Sequence, residues 1–335
     1  MSYLTLKDEG TPIAKIVGGS GGIISIVTPG TEADKCCKKC KGGSCKGKCC
    51  KKCCHTTEDS SSDDEEDYEF EKNDMELIDQ EFYRKMNMPY RLNVDKFKKD
   101  LQEGKVKKGI LKEAKKYVKQ RKNRDITIFD GEIQPIPRID SRECIYIAGP
   151  SGSGKSTYTA NYAKEYMRIF PKNRVIVFSR VERDEVLDKL HPTRILINEE
   201  LIEDPIDPSE LSNSLVIFDD TDTIPDKILK TAITNLKNDL LETGRHEDIY
   251  VAITSHLISN YRETRTVLNE AHSITLFPAG GSTYSIKYVL KNYGGMNPAE
   301  IQKVITLPSR WITLKKTYPQ AIIYNKGAYL IGAKI

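Results

Sequence analysis

The 335-residue chain has no long apolar run, one tryptophan (Trp311) and, outside one short tract, almost no cysteine. Each scarcity excludes something. A membrane-crossing helix needs about 20 successive apolar residues, so none is expected. The first residues lack the basic-then-apolar layout of a secretory leader, and an intracellular protein is expected. Eight of the nine cysteines lie between Cys36 and Cys54, leaving only Cys144 for the rest of the chain. A disulfide-stapled secreted fold is therefore not expected.

The formal net charge of +4 conceals blocks of opposite sign. Residues 1–30 alternate apolar and polar positions around Gly-Gly-Ser-Gly-Gly (18–22), which predicts a small hairpin. Residues 31–74 hold first a Cys/Lys/Gly tract and then an acidic, serine-rich block at 58–71, neither able to bury a core. Cys37-x-x-Cys40 and Cys50-x-x-Cys53 have zinc-knuckle spacing. Zinc at the Cys36–Cys54 tract stays open but is not favoured, because no apolar residue is there to pack around a metal. Residues 75–137 form a basic segment. From Arg91 to Arg124, Lys and Arg outnumber Asp and Glu more than threefold, and Leu111, Ala114, Tyr117 and Val118 recur at helical spacing. This predicts a basic amphipathic helix, either touching nucleic-acid phosphates or packed on a core by its apolar stripe.

Residues 138–335 carry the chemistry. The run Cys144–Ala148 reads as a buried strand, followed by Gly149-Pro150-Ser151-Gly152-Ser153-Gly154-Lys155-Ser156-Thr157. That is G-x-x-x-x-G-K-[ST], a Walker A loop. Successive backbone N–H groups and a helix N-terminus make an anion nest, Lys155 reaches the terminal phosphates and Ser156 takes Mg²⁺. Strand and helix signals then alternate, the pattern of an α/β fold with a mostly parallel sheet covered by helices on both faces. Helices are predicted at 155–169, 183–190 and 226–242, and strands at 174–179, 194–198, 249–254 and 273–277. Ser214–Phe218 reads as the Walker B strand, delivering Asp219 to Mg²⁺ and Asp220 to the attacking water. Thr254, Ser255 and His256 end the next strand, and His256 reads as a hydrogen-bonding sensor of nucleotide state. Gly244, before Arg245 and His246, suits a left-handed helix cap. Residues 284–290 alternate, final strands start at Arg310, and Trp311 is assigned to the core.

With Walker A, the Asp219-Asp220 pair, Gly244-Arg245-His246 and the Arg310-Trp311 strand in place, residues 139–330 resemble the poxvirus-type genome-packaging ATPases of large DNA viruses, within the FtsK/HerA superfamily. The resemblance implies a RecA-like P-loop fold, ATP with Mg²⁺, a homo-oligomeric ring, and double-stranded DNA driven into a capsid. It also implies a location in the host cytoplasm or a viral factory, or in the virion. A trans-acting arginine is implied as well, with Arg180 favoured over Arg245. Two features depart from the superfamily: Thr-Ser-His stands where Gln usually ends the strand after Walker B, and Asp220 where Glu is commoner. Two other functions compete. One is a small-molecule or nucleotide kinase; the other is a slow ATP-dependent assembly switch. The absence of Leu-Ser-Gly-Gly sets aside an ABC transporter ATPase.

Overall fold

The computed structural model describes residues 2–7, 9–19, 21–28, 70, 74–78, 80–89, 93–122 and 124–331. The cysteine tract with its zinc alternative, and the acidic block up to residue 69, lie outside those residues. The chain divides into two units, Thr28–Arg124 and Ser2–Val27 with Asp125–Ile335.

In the larger unit the N-terminal strands β1 (Tyr3–Thr5), β2 (Thr11–Val17) and β3 (Gly22–Val27) do not stand as a hairpin alone. They take Glu132–Pro135 as a fourth strand on the free edge of β2, in an antiparallel sheet. Ile13, Ile16, Ile24 and Ile26 need a covering face that a lone hairpin lacks, and they find it with Ile133 and Ile323.

The smaller unit holds α1 (Asp74–Leu77), α2 (Gln80–Lys85), α3 (Val94–Gln102) and α4 (Lys108–Lys122). Two helices stand where one basic helix is expected. Asn93 caps α3, its side chain accepting from Lys96 N at 3.0 Å, and a turn at Gly104 separates α3 from α4. The predicted stripe packs inward: Ala114, Tyr117 and Val118 are buried with Phe82, Phe97 and Leu101, and the Phe82 and Tyr117 rings meet at 5.2 Å. Lys96, Lys99, Lys107, Lys112 and Lys116 remain exposed.

The remaining elements of the larger unit are β4 (Asp125–Thr127), β5 (the Glu132–Pro135 strand), β6 (Cys144–Ala148), α5 (Lys155–Ile169), β7 (Arg174–Ser179), β8 (Thr193–Leu196), α6 (Glu200–Glu203), β9 (Ser214–Phe218), α7 (Lys227–Glu242), β10 (Tyr250–Ser255), α8 (Tyr261–Glu270), β11 (Ser273–Leu276), α9 (Thr283–Asn292), α10 (Pro298–Ile305), β12 (Ile312–Lys315), β13 (Ala321–Tyr324) and β14 (Gly327–Leu330). All strands from β6 onward, with β4, form one ten-stranded sheet in the order β4-β14-β13-β12-β11-β6-β10-β9-β7-β8. From β11 to β8 neighbours are parallel; beyond β11 they are antiparallel. One face, with Ile145, Ile147, Val177 and Ile217, packs on Tyr158, Tyr162 and Tyr166 of α5, which fall four residues apart and so on one helical side. The other face, with Tyr146, Phe178, Phe218 and Ile253, is covered by Ile233 and Leu240 of α7, Val267 of α8, Val289 of α9 and Ile301 of α10. This is the predicted α/β architecture, a P-loop nucleoside triphosphatase fold with helices on both faces.

Three local expectations are corrected. The helix expected at 183–190 shrinks to a 3₁₀ turn, Leu187–Leu190, because the Asp184 carboxylate accepts from Val186 N at 2.8 Å and Leu187 N at 2.7 Å, which competes with helical bonding. The alternating stretch 284–290 lies in α9, where Ile286, Val289 and Leu290 are buried at helical spacing. Gly244 is not a left-handed cap; it begins a 3₁₀ turn, and Asp248 takes the positive φ of 50°.

Gly244 serves close approach instead. A Cβ there would lie 2.8 Å from Arg142 Nη1, and the Arg142 guanidinium donates to Leu240 O and Leu241 O, each at 2.6 Å, closing the last turn of α7. Hydrogen bonds from a charged donor contribute about 1.5–3 kcal/mol. Arg142→Ala is expected to lower the unfolding free energy by about 2 kcal/mol, seen as a lower urea midpoint at unchanged slope. An unchanged midpoint would mean that water satisfies those carbonyls equally well.

Candidate active site

Strand register assembles the site. Ala148 of β6 pairs with Ser255 of β10, and Ile253 of β10 with Phe218 of β9. The C-terminal ends of the three strands are therefore level. The Walker loop leaves β6, Asp219 and Asp220 leave β9, and Thr254, Ser255 and His256 end β10 between them. Gly149 N donates to Ser255 O at 3.1 Å, tying the loop to β10.

Gly154 precedes α5 with φ 108°, in the left-handed region, which glycine enters without steric cost. It brings no capping side chain, and an uncapped helix start leaves N–H groups free for an anion. Lys155, the first residue of α5, is only 7% exposed. Its Nζ lies 3.2 Å from Gly149 O, 3.7 Å from Asp220 Oδ1 and 3.4 Å from His256 Nδ1. His256 Nε2 lies 2.9 Å from Asp220 Oδ2. An ammonium can only donate, so Nδ1 accepts and the proton sits on Nε2, donating to Asp220. Lys155, Asp220 and His256 thus form a closed triangle, with Asp220 as the counter-ion of the lysine.

Asp220 reaches this place by a strained turn, φ 46° and ψ 40°, a conformation that costs a residue with a Cβ of order 1–3 kcal/mol. Thr254 holds it there: Asp220 N donates to Thr254 Oγ1 at 2.8 Å, and that hydroxyl donates to Asp219 Oδ1 at 2.9 Å. Behind them the Asp222 Oδ2 atom accepts from Ser255 Oγ and from His256 N, both at 3.0 Å, fixing the Ser255–His256 segment.

Ser151, Gly152, Gly154, Lys155, Ser156 and Thr157 line one pocket of about 380 Å³ with Asp220 and His256. Of the remaining loop residues, Pro150 O accepts from Ser153 N at 3.2 Å in the loop's own turn. Ser153 Oγ is buried with no partner among the described residues. Asp219 stands behind Asp220, linked through Thr254. Arg180 leaves the end of β7, exposed, with Nη1 donating to Thr223 O at 3.0 Å; it is not among the pocket residues.

Arg245 does not line the pocket of its own chain. It precedes β10, and in a parallel sheet that loop lies at the opposite end from the Walker loop. There it is exposed, with Nε 3.4 Å from His246 Nε2.

Two residues of the site were not anticipated. Asp222 is one. The other is Arg310, whose Nε donates to Ser153 O at 2.8 Å and Nη2 to Gly152 O at 3.0 Å, adding a second cation at the pocket. The order β12-β11-β6 brings it there, and no local signal in the sequence does.

Mg²⁺ suits hard oxygen donors and needs few of them from protein when phosphates are present. The Ser156 hydroxyl and Asp219 carboxylate are such donors. Burial raises the Asp219 carboxyl from its ordinary value, which the Thr254 hydroxyl offsets only in part and Asp220 and Asp184 reinforce; an adjacent cation would reverse that penalty. The donor set therefore fits the ion. A raised carboxyl pKa means the charged form is disfavoured in the fold, a cost fully present above the folded pKa and relieved as pH falls through it. Asp219→Asn is thus expected to raise the melting temperature of the nucleotide-free protein at neutral pH, a gain that vanishes in acid. A melting temperature lowered at neutral pH would overturn this.

The fold and this loop define the class as P-loop nucleoside triphosphatases. No family model matches the chain. Uncharacterized protein V3 of the Sputnik virophage is 44% identical over 242 residues, which are 71% of this chain and 97% of that protein; the chain belongs to the V3 family. Among solved structures, the DNA-packaging ATPase B204 of Sulfolobus turreted icosahedral virus is 15% identical at a TM-score of 0.41, covering 56% of this chain and 98% of that one. The genome packaging NTPase B204 of Sulfolobus turreted icosahedral virus 2, in complex with AMPPCP, is 12% identical at a TM-score of 0.39, over 55% and 97% of the two chains.

Proposed function

We propose that this protein is an ATP-hydrolysing motor subunit, acting in an oligomeric ring on double-stranded DNA to package a viral genome into its capsid. The triangle of Lys155, Asp220 and His256 inside the loop pocket carries this reading. An arriving γ-phosphate takes the ammonium from Asp220, leaving that carboxylate free to accept a proton from the attacking water, while the Nε2–H of His256 keeps it oriented. Ser156 and Asp219 are the residues that would hold Mg²⁺, which would neutralise charge on the phosphates when bound. The loop amides, the start of α5 and Lys155 bind the anion.

Arg180, exposed beside the Walker B end, is assigned the role of a finger reaching a neighbouring subunit's nucleotide, which makes turnover depend on assembly. The exposed lysines of α3 and α4 supply sequence-independent phosphate contacts. Membership in a family that includes a virophage protein supports a viral role. Among the described residues no helix is long and apolar enough to cross a membrane.

The test is ATP hydrolysis with and without linear duplex DNA, at low and moderate salt. DNA is expected to raise the rate several-fold, with the gain fading as salt rises. ADP release that ignores DNA but accelerates with a small phosphate acceptor replaces the motor by a kinase. Slow hydrolysis insensitive to both would point to an assembly switch.

A further inference from the structure

Charge is segregated to the two sides of the phosphate site. From 195 to 226 the chain has no Lys or Arg, and from 271 to 299 it has no Asp or Glu. The first stretch includes the end of β8, α6 and β9; the second includes β11 and α9. In the sheet, β8 ends the parallel run on one side of β6, and β11 borders β6 on the other.

The acidic side carries a groove of about 530 Å³. Ile197, Ile224 and Leu229 give it an apolar lining, and Glu199, Glu200 and Asp226 add exposed carboxylates. Asp226 is engaged as the cap of α7, accepting from Leu229 N at 2.7 Å. Glu200 accepts only from Asn198 Nδ2, at 3.1 Å, and among the described residues neither Glu199 nor Glu200 has an ion pair.

On the other side, Ile286, Val289 and Leu290 turn α9 toward the core. The opposite side of that helix repeats an aromatic and a cation: Tyr284, Lys287, Tyr288 and Lys291, at the i, i+3, i+4, i+7 spacing of one stripe. All four are exposed, Tyr284 to 79%, and among the described residues neither lysine has an ion pair. A helix with anchors at that spacing is the form that lies in an apolar groove, and the lysines and the groove's glutamates supply matching charge.

We infer that α9 of one copy seats in the acidic groove of a second copy of this chain. Two different patches meet, so the contact is heterologous, the kind that generates rings. The inference rests on the oligomeric reading above and adds to it which surfaces touch. It also gives Arg180 its target. Arg180 lines the groove, while α9 follows Gly280, where a Cβ would lie 3.1 Å from Pro150 of the Walker loop. A neighbour docked by its α9 therefore brings its own Walker loop to the side of Arg180.

The experiment exchanges the charges in the full-length protein and measures assembly by sedimentation, with Mg²⁺ and AMPPCP. Lys287→Glu with Lys291→Glu makes both surfaces acidic; Glu199→Lys with Glu200→Lys makes both basic. Each pair is expected to need about tenfold more protein to assemble, since like charges then face one another. An equimolar mixture of the two variants is expected to assemble as the parent does, and so is the chain carrying all four changes. That recovery also shows that the variants are folded. Parent assembly is expected to weaken as salt rises.

Three results overturn the contact while leaving the ring reading intact: parent-like assembly of either pair alone, no recovery in the mixture or the fourfold variant, or unchanged assembly of the Lys287→Glu, Lys291→Glu protein with weakened binding of duplex DNA, which would make α9 a nucleic-acid surface. A parent protein that stays monomeric with nucleotide and with DNA removes the ring reading itself, and this contact with it.

Discussion

Replacing Lys155 with Ala is expected to remove measurable ATP binding at concentrations that saturate the parent protein. Truncating one partner of a buried, hydrogen-bonded charge pair costs 2–5 kcal/mol, or about 30-fold to several thousandfold in affinity. Lys155 falls in that class: it is 7% exposed and opens the helix that faces the phosphates. The fold should survive, because the apolar contacts of α5 come from Tyr158, Tyr162, Ala163 and Tyr166. Asp220 also keeps a second partner in His256 at 2.9 Å. Calorimetric titration of the variant with ATP and Mg²⁺, beside its melting temperature, separates the two effects. Affinity within tenfold of the parent would mean that the loop amides and Arg310 suffice, and would remove Lys155 from the centre of the site.

Asp220→Asn is expected to lower turnover by about 10²–10⁴-fold, the usual contribution of a positioned general base. Binding should change in the opposite direction. In the nucleotide-free protein Asp220 is the counter-ion of Lys155 at 3.7 Å, so a phosphate must compete with it for the ammonium. The neutral amide removes that competitor, and ATP affinity is expected to hold or rise. Single-turnover hydrolysis and equilibrium binding on the same preparation read both quantities. Wild-type turnover in the variant would show that another group orients the water. Loss of binding would show instead that Asp220 supports the loop. The left-handed turn at Asp220 also answers the question raised by its short side chain. The turn, not side-chain length, carries the carboxylate to Lys155 and His256, so glutamate's extra methylene is not needed to reach them.

Some parts of the candidate site are legible in the sequence and others are not, and the division is physical. The Walker loop, Asp219-Asp220 and the polar end of β10 depend on a strand followed at once by its functional residues. Contiguity in the chain then guarantees proximity in space. The same holds for the parallel sheet, since buried parallel strands are apolar throughout and Cys144–Ala148, Arg174–Ser179 and Ser214–Phe218 announce themselves. Readings built on isolated residue types fared worse. Gly244 looked like a cap, but it is small because Arg142 passes 2.8 Å from where its Cβ would be. Residues 284–288 alternate in polarity, yet the burial of Ile286, Val289 and Leu290 selects a helix.

By itself, then, the sequence determined the fold class, the Walker A loop and the Asp219-Asp220 pair at the end of a buried strand, because each is encoded within a dozen neighbouring residues by backbone geometry and apolar patterning. Only the tertiary structure decided which distant residues complete the site. The β12-β11-β6-β10-β9 order delivers Arg310 over the loop and His256 onto Asp220, and it sends Arg245 to the far end of the sheet. Strand order is a property of how the whole sheet buries its two faces, and no local stretch of the chain carries it.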